Sequence, residues 1–423
     1  MPRIGLVFHG LNHGGIERTM LRLGEGLQRR GCAVDIVVGD ASGPLRDDLP
    51  AGVNLVQLDK SWIGWSLVYG LRSEPEARRL LLRFDWRRAK RLFRRLPALV
   101  DYFCRYRPDG VFAADPGYNA LSVWAGGLSG LHPPVVVSER NPPSRAAELN
   151  SQWSDRGLHA AFRNAYLRAH AIAAVSDGVA EDLSAYADIP RQRITTTYNP
   201  VVDQDISLKV ADPVDHPWFA PGQPPMILGV GRIHPQKDFA TLIRAFAKVR
   251  GQRPARLVII GATSTKDVGY AEELRELSAH LGIGGDVDLP GFVANPFAYM
   301  GRAAVFVLSS LYEGLPGVLI QALACGTPVV STDCTAGPAE ILDGGRFGRL
   351  VPIGDDTAMA AAILETLERP APPEQLRSRA QSYSVDRAVD RCLAVMFAPS
   401  TNDTGSEPLQ RAERSLGQTV SSP

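Results

Sequence analysis

The amino-acid sequence predicts an α/β protein in which two doubly wound, parallel-sheet domains face each other across a cleft. Three observations predict it. Short runs rich in Val and Ile alternate with amphipathic helical stretches, the alternation recurs in both halves of the chain, and a proline-dense segment separates the halves. Strands buried on both faces read as continuous apolar runs, whereas the covering helices keep a period near 3.6.

In the first half the strand-like runs are residues 4–8, 34–38, 135–137 and 172–175; in the second they are 227–230, 257–260, 305–308 and 329–330. Ile16, Met20, Leu23 and Leu27 give one helical stripe, and Leu274, Leu277 and Leu281 give another. Residues 211–225 carry five prolines, which disfavour a helix or a central strand and mark a linker. Val385, Val389, Cys392 and Met396 mark a last amphipathic helix, and the Ser/Thr/Gly/Pro-rich residues 399–423 are expected to be disordered. The expected division is therefore 1–205, a linker at 206–225, a second domain at 226–383, a final helix at 384–398 packing back on the first domain, and the tail. Ligands of such sheets bind beyond the carboxyl ends of the strands, so the facing domains would share one cleft.

Composition excludes several classes. With 423 residues, 45% hydrophobic and 22% charged, the chain buries an ordinary core and is not globally disordered. The balance of 46 Lys+Arg against 45 Asp+Glu excludes a uniformly basic nucleic-acid binder. Charge is unevenly spread, however: residues 72–107 hold 12 Lys/Arg against 4 Asp/Glu. The five cysteines form no C-x-x-C pair, so a reducing compartment is expected. No apolar run approaches the ~20 residues of a spanning helix. A cytoplasmic protein is the expectation.

Three loops carry chemistry. His9-Gly10-Leu11-Asn12-His13-Gly14-Gly15-Ile16-Glu17-Arg18 follows the first strand and opens the first helix; its glycines let backbone approach a ligand, and the helix start favours an anion. It is not the G-x-G-x-x-G dinucleotide fingerprint, and an ordinary turn has the same appearance. Gly229-Val230-Gly231-Arg232-Ile233-His234-Pro235-Gln236-Lys237 leaves the first strand of the second half, where a planar Arg232 and a mobile Lys237 could meet a diphosphate, or simply be solvated. The stretch from Glu313 to Val330 runs from a polar loop through a helix with Pro316 in its first turn to Gly326-Thr327-Pro328 and another strand. Glu313 and Gln321 share one helix start only if Glu313 reaches back across it. Asp203-Gln204-Asp205 and Asp286-Val287-Asp288 fit D-x-D, but two aspartates in three residues arise easily by chance, and no metal is expected.

These motifs together resemble glycosyltransferase family 4, whose members are retaining enzymes of GT-B fold, with two Rossmann-like domains, that use nucleotide sugars. The resemblance runs from about residue 3 to 397. Ser138-Glu139-Arg140-Asn141 and Asp333-Cys334-x3-Pro338-x-Glu340 look like the bacterial branch that builds polysaccharides and lipid-linked oligosaccharides. The resemblance implies an acceptor-binding first domain and a donor-binding second domain, with no cofactor beyond the nucleotide sugar, a UDP-sugar. Gly14 and Gly15 would face the donor phosphates; Arg232 and Lys237 would bind the diphosphate; Glu313 would contact the sugar. Backbone N–H groups near Leu315 and Gly317 would add donors, and Phe292 would border the base. Ser138, Arg140 and Asn141 would lie on the acceptor side. Many relatives carry a histidine near the reacting carbon; here Glu139 or Arg140 stands in that region. The family's second Glu, on the ribose, is Gln321, whose amide oxygen still accepts a hydroxyl proton, without a charge. The rival readings are a nucleotide-sugar 2-epimerase and an inactive binder.

The acceptor implied is a glycan or polyprenyl-diphosphate-linked saccharide. Trp86, Ala89, Phe93, Leu96, Val100 and Phe103 form an apolar stripe beside Arg87, Arg88, Arg91 and Arg94, with Pro97 separating two helices. That pattern suits an anionic membrane surface and peripheral attachment at the cytoplasmic face of the inner membrane, or else packing on the first sheet. Nucleic acid is not expected, since no recognition motif accompanies the basic run.

Overall fold

The computed structural model describes residues 1–12, 14–72, 78, 93–148, 156–263 and 268–399. A seven-stranded sheet has the order β3-β2-β1-β4-β5-β6-β7 and a six-stranded sheet the order β10-β9-β8-β11-β12-β13. Its strands are β1 (Arg3–Gly10), β2 (Ala33–Asp40), β3 (Asn54–Gln57), β4 (Gly110–Ala114), β5 (Val135–Glu139), β6 (Ala171–Ala174) and β7 (Ile194–Thr196) in the first domain. The second has β8 (Met226–Val230), β9 (Arg256–Ile260), β10 (Val287–Gly291), β11 (Val305–Leu308), β12 (Val329–Thr332) and β13 (Arg349–Val351). Every pairing is parallel, for example Val7 with Ala113 and Phe306 with Leu228. Chain order reverses between β1 and β4 and between β8 and β11. Those two switch points open the crevices in which ligands of such sheets sit.

All eight strand-like runs of the sequence are strands. Five strands gave no signal. β3, β7, β10 and β13 are short strands at the sheet edges, where one neighbour is missing and polar residues intrude. β4, Gly110-Val111-Phe112-Ala113-Ala114, is central and fully buried, but its small residues make a weak apolar run.

The helix Gly15–Arg29 buries Met20, Leu23 and Leu27 as its spacing demands. A Cβ at Gly26 would lie 2.6 Å from Val389 and 2.7 Å from Val385, so the final helix, Val385–Phe397, packs directly on its backbone. On Leu274, Leu277 and Leu281 the stripe fades outward: Leu274 is buried, Leu277 half-buried and Leu281 exposed.

The proline-dense segment is folded rather than an open linker. Residues Asp205–Val210, ahead of the first proline, form a helix, and Asn295 donates to Lys209 O at 2.8 Å and to Asp212 at 2.7 Å. Further on, Trp218 lies under Arg256 at 4.9 Å and His216 contacts Asp288 at 3.0 Å. The aspartates of the two D-x-D runs are occupied in such contacts: Asp203 pairs with Arg22, Asp205 with Lys209, and Asp286 with Arg250.

The apolar stripe expected at a membrane surface is core where it is described. Phe93, Leu96, Val100 and Phe103 are buried, and Phe93 stacks on Trp124 with ring centroids 5.2 Å apart. Pro97 does stand in the first turn of the helix Leu96–Tyr106. Arg94 is half-buried and donates to Ser61 O at 3.1 Å, which ties it to the domain rather than to solvent. Trp86, Arg87, Arg88, Ala89 and Arg91 lie outside the described residues, as do 400–423. No helix among the described residues is long and apolar enough to cross a membrane.

Candidate active site

At the second switch point β8 runs out into Gly231-Arg232, and Pro235–Lys237 forms one 3-10 turn. Asp238 then caps the helix Phe239–Arg250 by accepting from Thr241 N–H at 3.2 Å. Beside it β11 ends in Ser309-Ser310, whose loop leads to the helix Gly317–Cys325. The two loops are laced together. Leu311 N–H donates to Gln236 O at 2.9 Å, Gln236 Nε2 to Tyr312 O at 2.9 Å, and Ser309 Oγ to Lys237 O at 2.6 Å.

This lacing fixes a charged cluster. Lys237 Nζ donates to Glu313 Oε1 at 2.5 Å, and Ser310 Oγ donates to the same oxygen at 2.7 Å. Glu313 is buried and Lys237 half-buried, while Arg232 is exposed at the mouth. Pro316 caps the helix, which starts one residue later than its position suggested, at Gly317. Its first N–H groups have no acceptor within the helix and supply donors there. Cys334 sits close by, where burial pushes its thiol up to about 12 and keeps it protonated.

A third loop closes the cluster from below. Gly261 N–H donates to Gly291 O at 2.9 Å, and a Cβ at Gly261 would meet Gly231 O at 1.7 Å. Only glycine lets β9 pass this close to the loop bearing Arg232. Phe292, one residue past Gly291 (φ +83°), is 65% exposed. Gln321 is half-buried on the helix Gly317–Cys325, and its amide bonds no described residue.

The first switch point gathers a different set. His9, next to last in β1, packs edge-on against Tyr118 at 5.9 Å; Asp115, just past β4, caps the following helix through Gly117 N–H at 3.0 Å. Asp115 holds φ +87°, rare for a residue with a side chain and a sign of local strain. Glu17 folds over Gly14, where a Cβ would lie 2.0 Å from Glu17 Oε2 and would push that carboxylate aside, whereas a Cβ at Gly15 meets open space. Burial raises Glu17 above the usual carboxylate range, opposed by the charges of His9 and of Arg232 from the facing domain.

Residues 138–141 divide between core and rim. Ser138 and Glu139 are buried; Glu139 Oε2 accepts from Tyr166 Oη at 2.8 Å, and Asn119 donates to that phenol oxygen at 2.7 Å and to Ser138 O at 3.0 Å. Burial pushes Glu139 up to about 8, so it holds a proton near neutrality. Burial lowers Arg140 to about 10; its guanidinium bonds Asn199, lies 3.4 Å from Met20 Sδ and stacks over Phe112 at 5.5 Å. Asn141 is exposed.

The two walls touch. A Cβ at Gly314 would lie 2.0 Å from Arg140 O, and Ser176 Oγ donates to Gly314 O at 2.7 Å. Glu340 crosses to the first domain, accepting from Tyr198 Oη at 2.6 Å and Asp177 N–H at 2.9 Å. The structure thus brings Arg232, Lys237, Glu313, Leu315 and Gly317 into one loop cluster, with Glu17 and Arg140 of the first domain against it. Sequence reasoning missed His9, Asp115, Tyr118, Tyr166, Ser310 and Gly261. Of these, His9 stands in a loop already singled out for its glycines and Gly261 ends a Val/Ile run; the others had no local signal.

Two family models match, "Glycosyltransferase Family 4" over residues 13–205 and "Glycosyl transferases group 1" over 224–369. The chain belongs to glycosyltransferase family 4. It is an enzyme, a hexosyltransferase-type glycosyltransferase with two parallel-sheet α/β domains of the GT-B fold. The transferase is 29% identical over 277 residues to the Campylobacter jejuni N-acetylgalactosamine-N,N'-diacetylbacillosaminyl-diphospho-undecaprenol 4-alpha-N-acetylgalactosaminyltransferase, covering 64% of this chain and 71% of that one. Among solved structures it is similar to a Rickettsia africae glycosyltransferase (TM-score 0.70, 16% identity, 93% of this chain and 97% of that one). It is also similar to Anabaena HepE in complex with UDP (TM-score 0.68, 18% identity, 93% and 98%). At these identities the structural likeness concerns the fold.

Proposed function

We propose that the transferase moves a hexosyl group, with retention of anomeric configuration, from a UDP-sugar to a hydroxyl of a polyprenyl-diphosphate-linked saccharide in cell-surface polysaccharide assembly. The observation that carries this reading is the Arg232, Lys237 and Glu313 cluster, held by Ser310 at the switch point and facing Glu17. In it the diphosphate lies on Arg232, Lys237 and the N–H groups near Leu315 and Gly317, with Gly14 and Gly15 opposite. Phe292 borders the uracil, Gln321 accepts from the ribose, and Glu313 contacts the sugar. The acceptor enters past Glu139, Arg140 and Asn141. Its oxygen bonds the anomeric carbon on the face the β-phosphate oxygen leaves, and that oxygen takes the acceptor proton, so UDP departs protonated. Cations fixed where this charge grows stabilise the transition state more than the ground state.

The relatives support the finer parts. HepE is described with UDP, and the Campylobacter enzyme is named for an undecaprenyl-diphosphate acceptor and an α-linkage. With an α-linked donor, an α-linked product is retention. Fixed cations make a metal unnecessary, so transfer should persist in excess EDTA. The enzyme would work peripherally on the cytoplasmic face of the inner membrane.

A donor panel with polyprenyl-diphosphate saccharides tests the reading, with UDP release, product mass and anomeric proton coupling measured. An α-linked product with stoichiometric UDP is expected. An isomerised sugar nucleotide, or no UDP from any donor, would overturn it.

A further inference from the structure

The helix Ile63–Arg72 leaves the carboxyl end of edge strand β3, the end of the sheet at which the cleft opens. One side of it is in the domain, where Tyr69 packs on the core and Gly70 is buried. On the other side Trp62, Trp65, Val68 and Leu71 follow at spacings of three and are exposed, Trp62 by 73% and Trp65 by 62%. Trp62 folds back over the first turn, since a Cβ at Gly64 would lie 1.9 Å from an atom of its ring. Scattered exposed apolar residues are ordinary, but a contiguous band with two tryptophans is not. Lys60 and Arg72 stand at the two ends of the band and are exposed, and the most basic stretch of the sequence begins where the helix ends.

We infer that this band seats the enzyme on an anionic bilayer, with the tryptophans in the headgroup layer and the flanking cations on anionic lipid. Tryptophan has the chemistry for it, a large amphipathic ring that favours the layer between water and lipid tails. Each cation near such a surface adds ~1 kcal/mol, which suits a reversible, salt-sensitive attachment. A second copy of the chain is a poor occupant, because a stable interface needs about 800 Å² per partner and this band is four side chains long. Its place offers a functional benefit, holding towards the bilayer the carboxyl-end side of the sheet, where β5 ends in Glu139. That functional benefit rests on the proposed acceptor, but the binding itself does not.

The test is flotation of full-length protein with phosphatidylcholine vesicles, alone or mixed with phosphatidylglycerol, at low and high salt. Wild type should float with the mixed vesicles at low salt only. Trp62→Ser with Trp65→Ser should lower partitioning at least about tenfold, and Lys60→Gln with Arg72→Gln should lower it less. Both variants should keep wild-type turnover of a short, detergent-free acceptor while losing turnover on vesicle-borne acceptor. Failure of wild type to float would overturn the inference, as would equal flotation of the tryptophan variant, or a concentration-dependent dimer that the tryptophan variant abolishes. A wild type that floats but releases no UDP would overturn only the proposed reaction.

Discussion

The two walls of the cleft treat charge in opposite ways. On the second-domain wall charge is kept and paired: Arg232 is exposed, and Lys237 meets Glu313 at 2.5 Å. On the first-domain wall carboxyls are drawn out of water, Glu139 almost wholly and Asp115 in part. Burial raises Asp115 and pushes Glu139 up to about 8, and Glu139 is matched to the neutral phenol of Tyr166. On the proposed reading, the difference follows from what each wall would meet. A leaving diphosphate demands cations of fixed sign, whereas a wall beside an uncharged hydroxyl needs hydrogen-bonding groups whose charge does not compete with those cations.

The strongest way to break this comparison is to discharge the second wall. Arg232→Ala and Lys237→Ala should each lower kcat/KM by roughly 10²-fold or more, since each removes stabilisation that grows in the transition state. Circular dichroism should show both folded. Near wild-type turnover in either would mean that the cluster does not hold the leaving group.

Next comes the scaffold of that wall. Gly261→Ala forces a Cβ to 1.7 Å from Gly231 O and must displace the loop carrying Arg232. A destabilisation of about 1–3 kcal/mol is expected, with kcat/KM falling as well. The control is Gly269→Ala, an exposed helical position where a Cβ meets nothing within 4 Å, and it should be neutral or stabilising. If both variants melt alike, the close approach of β9 to this loop is not a constraint.

The same contrast explains what could be read from sequence. The second wall is built from two continuous segments, Gly229 to Lys237 and Glu313 to Gly317, so its residues announce one another by spacing. The first wall collects single residues from the ends of β1, β4 and β5 and from the helix Arg156–Arg168, which carries Tyr166. No local pattern links His9, Asp115 and Tyr166; only the parallel order of the sheet does. Glu139 and its neighbours were reached through family resemblance, and their division into buried and exposed members was not legible. The basic segment misled for a related reason. A stripe at helical spacing says that a face is covered, not by what, and Phe93 is covered by Trp124. The exposed tryptophans lie earlier in the chain, ahead of the basic run.

The first wall can be tested through pH. Glu139 has its folded-state pKa raised to about 8, above the ordinary carboxylate value, so the folded protein binds a proton the unfolded chain has released. Stability is therefore lost as pH rises from the ordinary value towards about 8, and the loss levels off above it. Glu139→Gln keeps an acceptor for Tyr166 and removes the titration. Thermal melts of variant and wild type should differ little at pH 5, with the variant gaining progressively on wild type towards pH 8. A constant difference across that range would mean that Glu139 is ionised in the fold, and the contrast between the walls would disappear.

The smallest effect belongs to Gln321, which asks whether the second wall needs another charge beyond the diphosphate. Its half-buried amide has no partner among the described residues, so it is available to accept from a ribose hydroxyl. A neutral hydrogen bond contributes ~1 kcal/mol, hence Gln321→Ala should raise the donor KM about fivefold while kcat stays near wild type. Gln321→Glu substitutes a charged acceptor, whose bonds are worth ~1.5–3 kcal/mol, and should tighten UDP by a few-fold in calorimetry. If the introduced carboxylate instead draws Lys237 away from Glu313, KM would fall but kcat would fall with it. An unchanged donor KM in the alanine variant would place the ribose elsewhere and leave Gln321 as a polar residue of the helix surface.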